Sequence, residues 1–269
     1  MKKFLPLLLM ILLLATGCGS DDDKIKIGTI KYLNVSEEAL SQLYEKSRMT
    51  DSDKTKYKYI FFDNTNSMIA ALQAGQIDAM SIYESVANYI VVLNNNVEWT
   101  IEQPVLIDLF CCAMREEDAE LRNEFNFAIK EMTADGTLAR FVKTYINDFT
   151  RNETPSVISL PTFYNAPMIR IGVTGDLPML DYIRPDGMPA GFNTAVLAEV
   201  SKRIEKNFVL VQVESGARAA ALSSEEVDVI FWAVVPQTEG VPPDFDKPDG
   251  VIFTEPYFSD DIVHVKLRK

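Results

Sequence analysis

The sequence predicts an α/β fold built from two similar units, each a mostly parallel sheet covered by helices on both faces. Two observations carry this. The chain contains an internal echo: "AALQAGQIDAM" at 70–80 matches "AALSSEEVDVI" at 220–230, and "KIKIGTI" at 24–30 matches "MIRIGVT" at 168–174, at nearly the same interval. Within each unit, apolar runs of strand length alternate with stretches of helical period in the order strand, helix, strand, helix, strand. Right-handed crossovers follow for the parallel pairs.

The first stretch, "MKKFLPLLLMILLLATGC", places Lys2 and Lys3 before an apolar run from Phe4 to Ala15, with small residues leading into Cys18. That is the pattern of a secretory signal. The run is shorter than the roughly 20 residues that span a bilayer. Leu14-Ala15-Thr16-Gly17-Cys18 resembles the lipobox of bacterial lipoproteins, which implies a signal peptide over 1–17, cleavage before Cys18 and a diacylglycerol on its sulfur. Several acyl chains on one terminus give stable anchoring, where a single chain binds only marginally. Residues 18–24, with "GSDDD", then read as a polar tether.

The first unit opens with the strand "IKIGTI". Asn34 with Glu37 three residues later fits a capping box for a helix over "VSEEALSQLYEKS", where Leu40, Leu43 and Tyr44 recur at helical spacing. There follow "YKYIFF" as strand, "NSMIAALQAG" as a helix closed by Gly75, "IDAMSIY" as strand and "ESVANYIVVLN" as helix. Next comes the apolar run "VLIDLFCCAM". Its Cys111 and Cys112 are neighbours on a strand and point to opposite faces, so a disulfide between them is strained and both read as buried thiols. A helical pair over 118–150 breaks at Ala134-Asp135-Gly136, and the connector 151–167, with Pro155, Pro161 and Pro167, reads as an extended surface linker.

The second unit supplies "MIRIGVT", "TAVLAEVSKRI", "FVLVQV", "ARAAALS" and "VDVIFWAVV" in the same alternation. "DFDKPDG" at 244–250 is spaced wrongly for an EF-hand loop and reads as a turn. The single histidine, His264, sits in the alternating "DIVHVKLRK" as a strand residue. One histidine and no Cys-x-x-Cys leave no pattern for a zinc site or a His-dependent triad. The chain carries 26 basic and 39 acidic residues, a formal charge of −13, which falls to −15 when Lys2 and Lys3 leave with the signal. So acidic a surface repels nucleic acid and anionic headgroups.

Several segments together resemble the type II extracytoplasmic solute-binding proteins of ABC importers, nearest the amino-acid-binding branch. "IRIGVTGDLPMLDYIRPDGMPAGFNTAVLAEVSKRI" is similar to the family's opening strand, proline-bearing loop, "DG" turn and "GF" helix start, and "VIFTEPYFSDDIVHV" to its "F(S/T)xPY" segment and crossover strand. "ALQAGQIDA" is similar to a piece of the second lobe, and "FCCAMREEDAELRNEFNFAIKEMTADGTLARFVKTYI" to the return strand and closing helices. In the family the "IRIGV" segment comes first and the "ADGT" helices last; here the order is exchanged. The resemblance therefore implies a two-lobe periplasmic-binding-protein-like type II fold with the lobes in permuted order. Residues 25–107 form a second-lobe-like α/β domain, and 108–269 a first-lobe-like one that includes the closing helices 118–150 and the linker 151–167. Only the segment near Leu106 to Ala113 is expected to cross covalently between lobes, and either one permuted monomer or two chains exchanging lobes satisfies the order.

Ligands of open α/β lobes sit outside the carboxyl ends of the strands, where loops and helix starts present N–H groups. The resemblance nominates contacts there. Asp176, Leu177 and Tyr182 match the loop that packs against the solute, with Leu180 in place of a phenylalanine; Asn193 is a helix cap or a ligand contact. Glu214, Ser215 and Arg218 open a helix. Arg218 is either a carboxylate clamp, suited by its fork of donors, or a surface ion pair. Trp232 is a stacking face or a core residue, Ala233 and Val234 supply backbone, and the family's clamping arginine is replaced by Gly240. On the other lobe Tyr32, Asn34 and Ser36 stand in for a glycine-threonine anion cradle, Asn64 and Asn66 follow a strand, and Tyr83, beside Glu84, holds the position of the family's ammonium-binding aspartate.

The function implied is a lipid-anchored extracytoplasmic binding protein, located in the periplasm or at the outer cell surface, that captures a small polar solute for an ABC permease. The solute class is an amino acid or related carboxylate; no enzyme activity, cofactor, metal or nucleic acid is implied. A sensing or scavenging receptor uses the same cleft. A dehydratase-like enzyme on the fold would need Glu214 or Glu255 arranged against Arg218.

Overall fold

The computed structural model describes residues 24–47, 57–93, 97–148, 155–237 and 240–268; Cys18 and the segment before it lie outside the described residues. In chain order the first lobe holds β1 (Ile25–Ile30), α1 (Glu37–Ser47), β2 (Tyr57–Phe62), α2 (Thr65–Gln73), β3 (Ala79–Tyr83), α3 (Glu84–Leu93) and β4 (Trp99–Ile101). Then come β5 (Leu106–Arg115), α4 (Ala119–Ala134) and α5 (Thr137–Val142), which a π-helical turn extends to Asn147. The second lobe holds β6 (Met168–Val173), β7 (Asp176–Leu177), β8 (Asp181–Ile183), β9 (Pro189–Ala190), α6 (Gly191–Ile204), β10 (Asn207–Gln212), α7 (Arg218–Ser223), β11 (Val229–Pro236), β12 (Val251–Phe253) and β13 (Phe258–Leu267). Among the described residues no helix is long and apolar enough to cross a membrane.

Two parallel wings, β2-β1-β3 and β10-β6-β11, are joined by β5 and β13 into one ten-stranded sheet. The alternation of strands and helices forces the parallel pairing, because a helical crossover returns each strand in the same direction. All five residues of β3 are buried and seven of the eight in β11, as strands covered on both faces require, whereas the edge strands β2 and β10 are half-exposed. Gly28 and Gly172 hold matched positions in the two echoing strands. A Cβ on Gly28 would lie 2.5 Å from Ile77 Cδ1, and one on Gly172 2.8 Å from Ile230 Cδ1, so each glycine marks where an apolar side chain closes down on the first strand of its lobe.

Both β5 and β13 cross between the wings. β5 pairs antiparallel with β11 through residues 108–113 and with β13 through residues 106–110; β13 then continues along β3, Ile262 opposite Tyr83 and Val265 opposite Met80. Besides the segment near Leu106 to Ala113, expected to cross covalently, the strand holding His264 makes a second, hydrogen-bonded tie, because a ten-residue strand is long enough to pair with a partner in each lobe. β4, which the sequence pattern did not reveal, is a three-residue strip on β13.

The start of α1 also departs from expectation. Ser36 is the cap, its Oγ accepting from Ala39 N at 3.1 Å, while Glu37 Oε1 accepts from Phe61 N at 2.8 Å and so ties the helix to β2. Asn34 is turned outward to Lys247 O. The capping box is thus replaced by a simple serine cap. By contrast Asn64 caps α2 through Ser67 N at 2.9 Å, and Gly75 ends it at φ +71°. Cys111 and Cys112 are free and buried, and burial pushes the Cys111 thiol up to about 12. His264 is buried on β13 with its Nε2 3.1 Å from the Tyr59 hydroxyl.

Phe110 lies where the crossing strands meet. Its fully buried ring is 4.7 Å from that of Tyr83, 5.3 Å from Phe258 and 6.3 Å from Tyr257, so it touches both lobes and both ties. Phe110→Ala is expected to destabilise the protein by about 3–5 kcal/mol, the usual loss for a fully buried phenylalanine, as read from urea unfolding. A shift below about 1 kcal/mol would mean that the lobes are stabilised independently of this contact.

Candidate functional site

The carboxyl ends of β1, β2 and β3 face those of β6, β10 and β11, and the loops that follow these strands meet along a seam between the lobes. Loop 31–36 after β1 presents its backbone N–H groups there. The carboxylate of Asp246, from the segment after β11, accepts Leu33 N at 3.0 Å, Asn34 N at 2.8 Å and Val35 N at 3.1 Å. A second carboxylate crosses beside it: Asp176 Oδ2 accepts Thr65 N at 2.6 Å, in the first turn of α2. Both use N–H groups left unpaired ahead of or within a helix's first turn, where the helix dipole favours negative charge.

A cation crosses the other way. Arg218, 2% exposed at the start of α7, donates through Nη2 to Lys31 O at 2.6 Å, through Nε to Ser215 O at 3.2 Å and through Nη1 to Trp232 O. Its guanidinium lies over the Trp232 ring, 4.2 Å from the centroid. Burial lowers its pKa, and the fields of Asp246, Tyr83, Asp181 and Asp176 oppose that shift. Ser215 N also donates to Asp63 O at 3.4 Å.

Under these contacts Tyr32, Tyr83, Leu177 and Trp232 close round a cavity of about 20 Å³, the space of a single water. At its edge the Tyr83 hydroxyl donates to Asp108 Oδ2 at 3.2 Å. Asp108 is buried on β5, and burial pushes its carboxyl up to about 7; Asp246 and Asp260 push the same way and the Tyr83 hydrogen bond opposes them. Burial likewise holds the Tyr83 phenol well above its ordinary value.

Residues 169–268 match the family model described as bacterial extracellular solute-binding proteins, family 3. This segment is similar to that family. No curated protein matches the chain. Among solved structures the chain is similar to the ligand-binding component of an ABC-type import system from Staphylococcus aureus with zinc bound, at 13% identity, with 91% of this chain and 66% of that one covered and a TM-score of 0.45. It is also similar to an ABC transporter periplasmic substrate-binding protein from Coxiella burnetii, at 12% identity, 90% and 84% coverage and a TM-score of 0.42. Immunogenic lipoprotein A from Vibrio vulnificus gives 13% identity, 90% and 86% coverage and a TM-score of 0.42.

The nominated residues fall into two groups. Asp176, Leu177, Arg218 and Trp232 meet at the seam, opposite Tyr32, Asn34 and Tyr83 of the first lobe. Arg218 is neither a surface ion pair nor a free clamp, because its assigned hydrogen bonds all run to main-chain carbonyls. Trp232 is a buried stacking face for that guanidinium. Ala233 and Val234 are core residues of β11, packed opposite Cys111 and Phe110 of β5, rather than cleft contacts. Ser36 and Asn64 are spent on helix caps, and Asn66 is exposed. Asn193 is buried and accepts from the Tyr257 hydroxyl at 3.4 Å.

Glu84 is displaced to a separate cavity of about 550 Å³ on the far side of β13, with Tyr89, Asn147 and Asp260. Tyr182 is half-buried and pairs with Asp176 in the small sheet of β7, β8 and β9. Glu214 and Glu255 are exposed and are not set against Arg218, so the arrangement that acid catalysis would need is not formed. Two seam residues, Asp108 and Asp246, escaped sequence reasoning. Asp108 was hidden in an apolar run. Asp246 stood in a segment read as a turn.

The raised carboxyl of Asp108 fixes a pH dependence. Its folded pKa lies above the unfolded one, so its contribution to stability is fully present below about pH 4 and is lost as pH rises through about 7. Asp108→Asn keeps an oxygen for the Tyr83 hydroxyl and carries no charge. It is expected to be near neutral at pH 4.5 and to stabilise the protein at pH 8 by up to a few kcal/mol. Thermal unfolding of the pair at the two pH values checks this; equal differences at both would show that Asp108 is ionised throughout.

Proposed function

We propose that the protein is a lipid-anchored extracytoplasmic solute-binding protein of an ABC importer that captures a small polar solute, an amino acid or related carboxylate, between its lobes. The observation that carries this is the seam itself: N–H groups, a buried guanidinium and aromatic faces from two lobes converge at strand carboxyl ends, and one wall is the family 3 segment. One covalent tie, β5, and one hydrogen-bonded tie, β13, suit a hinge about which such lobes open and close.

The permuted order belongs to the same proposal. β1 and β13 lie on either side of β3, so the end of one and the start of the other are two strand spacings apart, about 10 Å, at one end of the sheet. That is where an unpermuted chain would run from the crossover strand into the second lobe, and the linker 151–167 makes the replacement join. In this reading the chain is a monomer, and it reaches the membrane through Cys18.

The test is a thermal-shift screen of the mature, unlipidated chain against amino acids, small carboxylates, amines and short peptides, with mass spectrometry of anything copurified. A solute at about 100 times its dissociation constant adds roughly 2.7 kcal/mol, a rise of several degrees or less for a chain of this size. A selective hit among carboxylate-bearing solutes is the expected result; silence across the panel with nothing copurified counts against solute capture. Cys18→Ser in the full chain is expected to move the protein from the membrane to the soluble fraction, and retention on the membrane would remove the lipid anchor from the proposal.

A further inference from the structure

We propose that the backbone N–H groups of Leu33, Asn34 and Val35 form a carboxylate site that the protein fills from within, and that a solute carboxylate gains it by displacing the loop carrying Asp246. This rests on the solute-binding reading and adds to it the chemistry of the site and an internal competitor.

The cradle has the form of an anion site. Three successive N–H groups converge on one carboxylate at 2.8–3.1 Å, immediately before α1. The carboxylate is not local: it comes from the opposite lobe, 211 to 213 residues along the chain, so its seat exists only while the lobes are together. Asp246 is 1% exposed, and its described hydrogen bonds are all to these N–H groups. The nearby guanidinium of Arg218 is committed to the carbonyls of Lys31, Ser215 and Trp232. A buried carboxylate without a direct ion pair is a costly way to fasten two loops.

The loop is constructed to move as a body. Gly240 at φ +81° and Gly250 at φ +71° bracket it, conformations that other residues rarely adopt. Between them the segment folds on itself, Phe245 N donating to Pro242 O at 3.1 Å and Lys247 N to Asp244 O at 3.0 Å, with Pro242, Pro243 and Pro248 restricting its backbone. Rotation at the two glycines that withdraws Asp246 must also part Lys247 O from Asn34 Nδ2 and lift Phe245 from the core it packs against.

A second observation points to a ligand in the same seam. Three buried oxygens there lack partners among the described residues: Thr65 Oγ1, Ser215 Oγ and Asp176 Oδ1. They come from both lobes, and Thr65 and Asp176 are the pair that makes the other carboxylate crossing. Buried polar atoms are nearly always paired in native proteins, so the arrangement with Asp246 seated leaves hydrogen-bonding capacity that a polar solute between the lobes would use.

The experiment removes the carboxylate and supplies one from solution. Asp246→Ala leaves the cradle intact, and acetate is the probe, with chloride at equal ionic strength as control. The variant is expected to melt lower and to show a larger radius of gyration by small-angle scattering than the wild type. Acetate should restore both saturably in the variant and leave the wild type unmoved over the same range. Equal responses to acetate and chloride in the variant, or equal acetate responses in variant and wild type, overturn the proposal.

Should the alanine variant not fold, Asp246→Asn keeps the size of the side chain and weakens its hold on the N–H groups. It should bind acetate at least tenfold more tightly than the wild type, and an unchanged affinity overturns the proposal. Because acetate stands in for no particular solute, rescue with a silent solute screen retains the cradle and discards the import reading. A solute hit without rescue does the reverse.

Discussion

Everything in this molecule hangs on the antiparallel pairing of β5 with β13. Each parallel wing ends on an inner strand, β3 or β11, that requires a further neighbour, and the two long crossing strands supply one to each wing while pairing with each other. Because both strands contribute to both lobes, the position of one lobe relative to the other is set by main-chain hydrogen bonds and by the aromatic cluster round Phe110 rather than by surface contacts. The pairing therefore fixes which loops face one another across the seam, and so lets a carboxylate on one lobe meet three N–H groups on the other within hydrogen-bonding distance.

The fold was largely legible because its signals are local. The echo of "AALQAGQIDAM" and "AALSSEEVDVI" announced two like units, and strands such as "YKYIFF" and "MIRIGV" were readable from apolar runs bounded by turns. The double crossing was less legible. Whether "FSDDIVHVKL" stays in its own lobe or leaves it depends on which strand lies beside it, and pairing partners are not written in the strand. The cap of α1 was misread for a related reason: Asn34 and Glu37 have the spacing of a capping box, but each side chain has a tertiary partner, Lys247 O and Phe61 N, that draws it away.

The seam was legible in its location and not in its wiring. Strand ends and helix starts gave the region, because those positions follow from topology, and the resemblance named Tyr32, Asn34, Tyr83, Asp176, Arg218 and Trp232 within it. What each group does depends on what stands opposite, and that depends on how the lobes close. Arg218 has the chemistry of a carboxylate clamp, yet three main-chain carbonyls surround it. Asp246 sits in a Pro-rich turn, and nothing in that turn shows that it reaches the start of the other lobe.

Arg218 and Asp246 also constrain each other. Both are buried in the same seam: the field of Asp246 opposes the lowering of the guanidinium pKa by burial, and burial raises the Asp246 carboxyl against the opposing hydrogen bonds from Asn34 N and Leu33 N and the field of Arg218. Neither can be withdrawn alone without leaving the other charge less compensated in a medium of low dielectric. Withdrawal of Asp246 by a neutral solute would strand the buried guanidinium, whereas exchange of one carboxylate for another conserves the balance. On the proposed reading, selectivity for carboxylates over neutral solutes would require no arginine at position 240: a buried cation that must keep an anion nearby and a cradle of N–H groups would supply it.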